Sequence, residues 1–296
     1  MIEFHKTTEE EKYAICNWKY GDEYERWRGF YETRIKDTTM ACYKAAFKHF
    51  ESIQHYRMVT VTVADLQQCI DECAKGRSTK DDMRTVCSLI YKFAMQNGIV
   101  DVNNAQFLYA GKEKKGKRPP FTMDELETIR NAVGKYAYAD YVYFLCYTGF
   151  RPNEFLMLKK SAYHEVTINE EIVPILIGGF KTEAGTDRIV TISPKVRDIL
   201  KAQMEKDGEY IFPNIETGTM MDDEFFLRKC FKPLMKKLGI EGKTTYSCRH
   251  TFADLLKQVY GSDTDKAELI GHADASMTKY YQSADYASMK KITDAL

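Results

Sequence analysis

The chain has 296 residues, 44% of them hydrophobic and 29% charged, with 43 basic and 43 acidic side chains balancing to a formal net charge of zero. That length accommodates two domains, each with its own core. No apolar run approaches the roughly 18 residues that span a bilayer, and the opening Met-Ile-Glu-Phe-His-Lys lacks the basic-then-apolar shape of a secretory signal. Eight cysteines occur without any C-x-x-C pair, which argues against a zinc ribbon and for reduced thiols in a cytoplasm.

In chain order, the first 110 or so residues read as short helices. Tyr24, Trp27 and Phe30 mark one, and Tyr43, Phe47 and Phe50 another. Thr62-Val63-Ala64-Asp65 has the character of a capping box and opens a third helix through Leu66, Ile70 and Cys73. Ser78 is placed to cap a fourth, whose stripe of Met83, Val86, Leu89, Ile90, Phe93 and Ala94 runs until Asn97-Gly98 stops it. Residues 111–120 form a linker closed by Pro119-Pro120, which cannot continue a helix. Within it Lys112, Lys114, Lys115, Lys117 and Arg118 make one basic run. Such a run is either a solvated linker or a strap placed to cross a phosphate backbone.

Thr122 to Glu125 caps the first helix of the second domain, and an aromatic helix from about Tyr138 ends at Thr148-Gly149. The period then changes. Val166, Ile168, Ile172, Val173, Ile175 and Ile177 favour strands, residues 181–186 a turn, and Arg188 to Ile192 a returning strand. Helices resume near Pro194 and from about Asp222 to Leu238, and Arg249 is expected to open another through Phe252, Leu255 and Leu256. The expected fold is therefore mainly α: a helical amino-terminal domain (1–110), a basic linker (111–120), and an α-rich domain (121–296) with a small antiparallel sheet. A tail helix of about residues 284–296 carries the stripe Tyr286, Met289, Ile292 and Leu296.

Four residues suggest one reaction. Arg151, Arg249, His272 and Tyr281 suit attack of a phenolate on a phosphodiester. Guanidinium forks grip phosphate oxygens bidentately and keep their charge, histidine donates to a third oxygen, and tyrosine is a nucleophile that can be held covalently. Arg151 precedes Pro152, a residue suited to a helix first turn, so a helix amino terminus is expected to add amide donors and a positive dipole end.

Thr148-Gly149-Phe150-Arg151-Pro152-Asn153-Glu154 resembles the first box of the tyrosine recombinases, the phage and transposon integrase family. Arg249-His250-Thr251 and Gly271-His272, with Tyr281 nine residues on, resemble the second. The resemblance runs from roughly residue 25 to 285. It implies an integrase-like catalytic fold and a site-specific enzyme that cleaves and rejoins double-stranded DNA through a 3′-phosphotyrosyl intermediate. It further implies that Glu154 supports the site and that Lys181, at a strand-to-turn junction, protonates the leaving 5′ oxygen as general acid.

Tyr246 stands where the family commonly has histidine. Its hydroxyl can still donate to a phosphoryl oxygen, or its ring can pack beside the pocket. His250 is read as structural, and the spacing favours Tyr281 over Tyr280 as nucleophile, because adjacent helical residues point about 100° apart. No cofactor and no metal are implied. The partners implied are double-stranded DNA, further copies of the chain forming a tetramer on two DNA sites, and accessory DNA-bending proteins, all in a bacterial cytoplasm or nucleoid. The tail helix packs on its own domain or, by the resemblance, on a neighbouring protomer. Two rival functions use similar parts: a type IB topoisomerase, and a DNA-binding regulator on the same fold that lacks cleavage.

Overall fold

Two hydrophobic clusters divide the chain into two units, residues 1–116 and 117–296. The structure, a computed structural model, describes residues 19–111, 119–179, 187–271 and 286–296.

The first unit is helical: α1 (Tyr20–Tyr31), α2 (Asp37–Phe47), α3 (Val63–Glu72) and α4 (Arg77–Gln96), with short 3₁₀ turns between. Their apolar faces meet in one core that includes a cluster of aromatic rings. Trp27 is fully buried, and Tyr24 stacks on Phe47 with ring centroids 3.6 Å apart. The Thr62 capping box forms as its sequence implies, with the Asp65 amide donating to Thr62 Oγ1 and the Thr62 amide donating to Asp65 Oδ2. The fourth helix starts earlier than Ser78 suggests. Gly76 is the cap, in extended conformation, and Arg77 pairs with Asp81 one turn on at 3.0 Å, which draws the first turn forward. At its other end Gly98 takes φ +67°, and the Ile99 amide reaches back to the Ala94 carbonyl at 2.9 Å while that of Gly98 reaches Met95. These two bonds close the helix as a Schellman motif.

The second unit places a small sheet among helices. The elements are α5 (Met123–Ala132), α6 (Ala139–Thr148), α7 (Pro152–Leu156), β1 (Tyr163–Ile168), β2 (Glu171–Gly178), β3 (Arg188–Thr191), α8 (Pro194–Met204), α9 (Asp223–Phe225), α10 (Lys232–Lys237), α11 (Thr245–Gln258), α12 (Asp263–Ile270) and α13 (Tyr286–Asp294). Every residue of α6 except Asp140 is buried, as a helix apolar on nearly all sides requires, and α5, α8 and α11 pack around it. Between α9 and α10 the chain makes a π-helical stretch, Phe226–Phe231, just ahead of Pro233. Proline removes one helical amide and crowds the carbonyl four residues back, and the widened turn relieves both.

The sheet is antiparallel in the order β1-β2-β3. Asn169 and Glu170, both at positive φ, form the two-residue turn between β1 and β2, the conformation that matches strand twist. Pro174 sits in the central strand, where a missing amide would normally break a ladder. It is tolerated because β3 ends beside it. The Ile192 amide still donates to the Pro174 carbonyl, and the Ile192 carbonyl accepts from Arg197 Nε at 3.0 Å instead.

Helix α13 settles on β3 and α12 of its own unit, so the tail follows the first of its two sequence readings here. Met289, Ile292 and Leu296 enter the core, Thr293 and Thr191 share a hydrogen bond of 2.9 Å, and Arg197 and Lys290 pair with Asp294 and Glu171. Among the described residues no helix is long and apolar enough to cross a membrane. Ile292→Ala is expected to destabilise the second unit by about 3 kcal/mol, since it removes a buried branched side chain and leaves a cavity; urea unfolding measures it.

Candidate functional site

Helix α6 must stop abruptly for the chain to turn and present Arg151, and Gly149 makes that possible. Its φ is +60°, a conformation that disfavours any side chain, and a Cβ there would lie 2.2 Å from Cδ1 of Phe252 on α11. Glycine thus lets α6 and α11 approach closely at the point where the chain turns. Three successive residues, Gly149 to Arg151, are each held by a different charged group. The Gly149 carbonyl accepts from Arg249 Nη1 at 2.7 Å. The Phe150 ring lies under the Arg188 guanidinium, 4.4 Å from its centroid. The Arg151 guanidinium pairs with Glu154 at 2.8 Å.

Arg151 caps α7, with Pro152 in its first turn as the sequence implies. The expected contribution of a helix dipole is small here. The helix is five residues long, Pro152 has no amide hydrogen, and the Arg151 amide is occupied by Glu154 Oε2 at 3.0 Å. Positive potential here comes from guanidinium groups. Glu154 is almost fully buried and bridges the amide and side chain of Arg151 with its two oxygens. It fixes the direction of the arginine while leaving that side chain 15% exposed.

Arg249 does not open a helix. Thr244 caps α11, its amide donating to Ser247 Oγ, and Arg249 is the fifth helical residue. The sequence expectation fails because Thr244-Thr245 supplies an earlier cap, and the apolar stripe from Phe252 hides the polar first turn. Position in the second turn directs Arg249 towards α6, where it is 8% exposed. Burial is the main force lowering its pKa, to about 10; the Arg151 charge lowers it further, and Glu154 and Tyr246 oppose the shift. It stays protonated at neutral pH.

Tyr246 is half-buried, one turn before Arg249 and close enough to act on its charge. His250, next to Arg249, is exposed on another face of the helix. The start of the unit is tied to the same helix: the Phe121 amide donates to Thr251 Oγ1 at 2.8 Å, and Lys243 bonds the Pro120 carbonyl at 2.6 Å and Glu125 at 2.8 Å. Lys181, His272, Tyr280 and Tyr281, with the basic run Lys112, Lys114, Lys115, Lys117 and Arg118, lie outside the described residues.

Arg188 is not among the residues that the sequence motifs single out, yet it joins this cluster. It is 1% exposed, and its Nη1 donates to the carbonyls of Leu269 and Ile270 at 2.5 and 2.8 Å, at the carboxyl end of α12. Burial foremost, then the Arg249 charge, lowers its pKa to about 9, with Glu154 opposing. One signal in the sequence could have found it. Arg188 and Val190 share a side of β3 by the period of two, and Ile192 just beyond it continues the pattern, so an arginine stands at an inward position of an apolar strand. Gly149→Ala is expected to cost about 3 kcal/mol, combining a strained φ with overpacking against Phe252, and thermal melting checks it.

A comparison of the sequence with protein families matches the Phage integrase family over residues 120–288. The tyrosine recombinase XerC of Anoxybacillus flavithermus is 25% identical over 278 residues, covering 84% of this chain and 88% of that protein. Among solved structures, the Tn1549 transposon integrase (residues 82–397), in complex with circular intermediate DNA, superposes with a TM-score of 0.72 at 16% identity. The match covers 91% of this chain and 97% of that one. A lambda integrase tetramer bound to a Holliday junction gives a TM-score of 0.67 at 17% identity, over 96% and 85%. The mainly helical fold with its small antiparallel sheet is thus shared with integrases of known structure. With more than half its length matched by the family and both arginine boxes inside the match, the chain belongs to the phage integrase family of tyrosine recombinases.

Proposed function

We propose that this recombinase cleaves and rejoins double-stranded DNA at specific sites through a 3′-phosphotyrosyl bond, exchanging strands between two sites. The observation that carries the reading is the Gly149–Phe150–Arg151 turn. It holds Arg151 beside Arg249, whose partner carbonyl lies 100 positions away in sequence, in a part-buried cluster where phosphate oxygens would meet both forks.

In the proposed reaction the Tyr281 oxygen forms a bond to phosphorus as the bond to the 5′ oxygen breaks, and Lys181 gives that oxygen its proton. Arg151, Arg249 and His272 hold the phosphorane, Tyr246 adds a hydroxyl donor, and Glu154 keeps Arg151 aimed. The bond energy is conserved in the phosphotyrosine, so a 5′ hydroxyl of the second site reverses the step without ATP. Arginine charge, rather than a metal, neutralises the phosphate.

The domains 1–110 and 121–296 would bind core-site DNA, with Lys112, Lys114, Lys115, Lys117 and Arg118 crossing its backbone. The lambda integrase tetramer on a Holliday junction supports a tetramer on two sites here as well. Accessory DNA-bending proteins would assist assembly, and the enzyme would work in a bacterial cytoplasm or nucleoid. A suicide DNA substrate in EDTA buffer tests the chemistry. Wild type and Tyr280→Phe are expected to form a covalent adduct and Tyr281→Phe none; an adduct that survives in Tyr281→Phe, or that requires divalent metal, would overturn the proposal.

A further inference from the structure

Among the described residues the cluster carries more positive charge than it neutralises. Arg151, Arg188 and Arg249 contribute three positive charges and Glu154 one negative, 3 − 1 = +2, and the Coulombic influence of the other three groups reaches Arg188. Arg188 is the most enclosed of the three arginines. Among the described residues, carbonyl bonds engage its Nη1 alone, and Nε and Nη2 are buried with no hydrogen-bond partner there. A buried guanidinium with open donors is costly unless something compensates it, and nothing among the described residues does so fully. The stack on Phe150 places this charge against the residue next to Arg151.

We propose that Arg188 is a positioning residue that holds a third guanidinium charge behind Arg151 and Arg249, tuned to the second negative charge that a phosphodiester gains on becoming a phosphorane. The inference rests on the recombinase reading of the same site. A phosphodiester carries one negative charge and the pentacoordinate species two, so the surplus of +2 that the described side chains hold in place, apart from the proton Lys181 would give up, matches the latter better than the former. Fixed charge of this kind, set in place by folding and shielded from water, favours the transition state over the ground state. Being enclosed, Arg188 acts through its field and through the turn it stacks on, without touching DNA.

The test uses the full chain and a suicide substrate with either the natural phosphodiester or a neutral methylphosphonate at the scissile position. Arg188→Met removes the charge, and Arg188→Lys keeps it without the planar fork. On the natural substrate, Arg188→Met is expected to slow single-turnover cleavage about 100-fold with little change in DNA affinity, and Arg188→Lys to recover most of that loss. On the methylphosphonate, whose phosphorane carries one negative charge instead of two, the Met variant is expected to lose less than about 10-fold.

Equal losses for Met and Lys, or equal losses on both substrates, would show that Arg188 only braces the end of α12 and would overturn the inference. If wild type does not cleave the methylphosphonate, the comparison of Lys with Met on the natural substrate decides. If melting shows that Arg188→Met fails to fold, Arg188→Lys alone decides: a rate near wild type supports the charge, and a loss of about 100-fold refutes it. Absence of any adduct with wild type would instead refute the recombinase reading itself.

Discussion

Burying several arginines around one turn is the constraint on which the second unit depends. A guanidinium withdrawn from water demands acceptors, and each arginine here finds at least one in a group that also shapes the chain. Arg249 takes the carbonyl that ends α6, Arg188 takes the carbonyls that end α12, and Arg151 takes the carboxylate one turn into α7. Charges that would serve a phosphate are thus also the ties that position three helix ends.

That double use explains the unusual composition of the surrounding core. Helix α6 is apolar on nearly every side because α5, α8 and α11 enclose it, and Gly149 lets α11 come close enough for Arg249 to reach back. Phe150 offers Arg188 a ring face, a favourable surface for a planar cation that lacks a full set of acceptors. The sheet contributes one inward arginine and otherwise a platform for α13, whose Thr293 meets Thr191 on the strand that carries Arg188.

The tail obeys the same logic at the other end of the unit. Its apolar stripe is compatible with covering any hydrophobic surface, whether on its own chain or on another. In the structure it fills the core beside β3, and the pairs of Arg197 and Lys290 with Asp294 and Glu171 fix its direction. Stability of the second unit and any role of the tail in assembly are therefore linked through one helix.

By itself the sequence determined the class of fold and singled out Arg151, Glu154 and Arg249, because these rest on local signals. Capping boxes at Thr62 and Thr122, the glycine after Thr148, and period-two apolar runs each act within a few residues, and their elements lie where those signals put them. Arg151, Glu154 and Arg249 were legible as members of two boxes. What only the tertiary structure decided is how distant groups share charge and space. The start of α11 ahead of Arg249, the weak dipole of a five-residue α7, the amide lost at Pro174 and replaced by Arg197, and the entry of Arg188 into the cluster all depend on the folded surroundings. Burial and Coulombic coupling are set by neighbours in space, and a linear reading sees neighbours only in sequence.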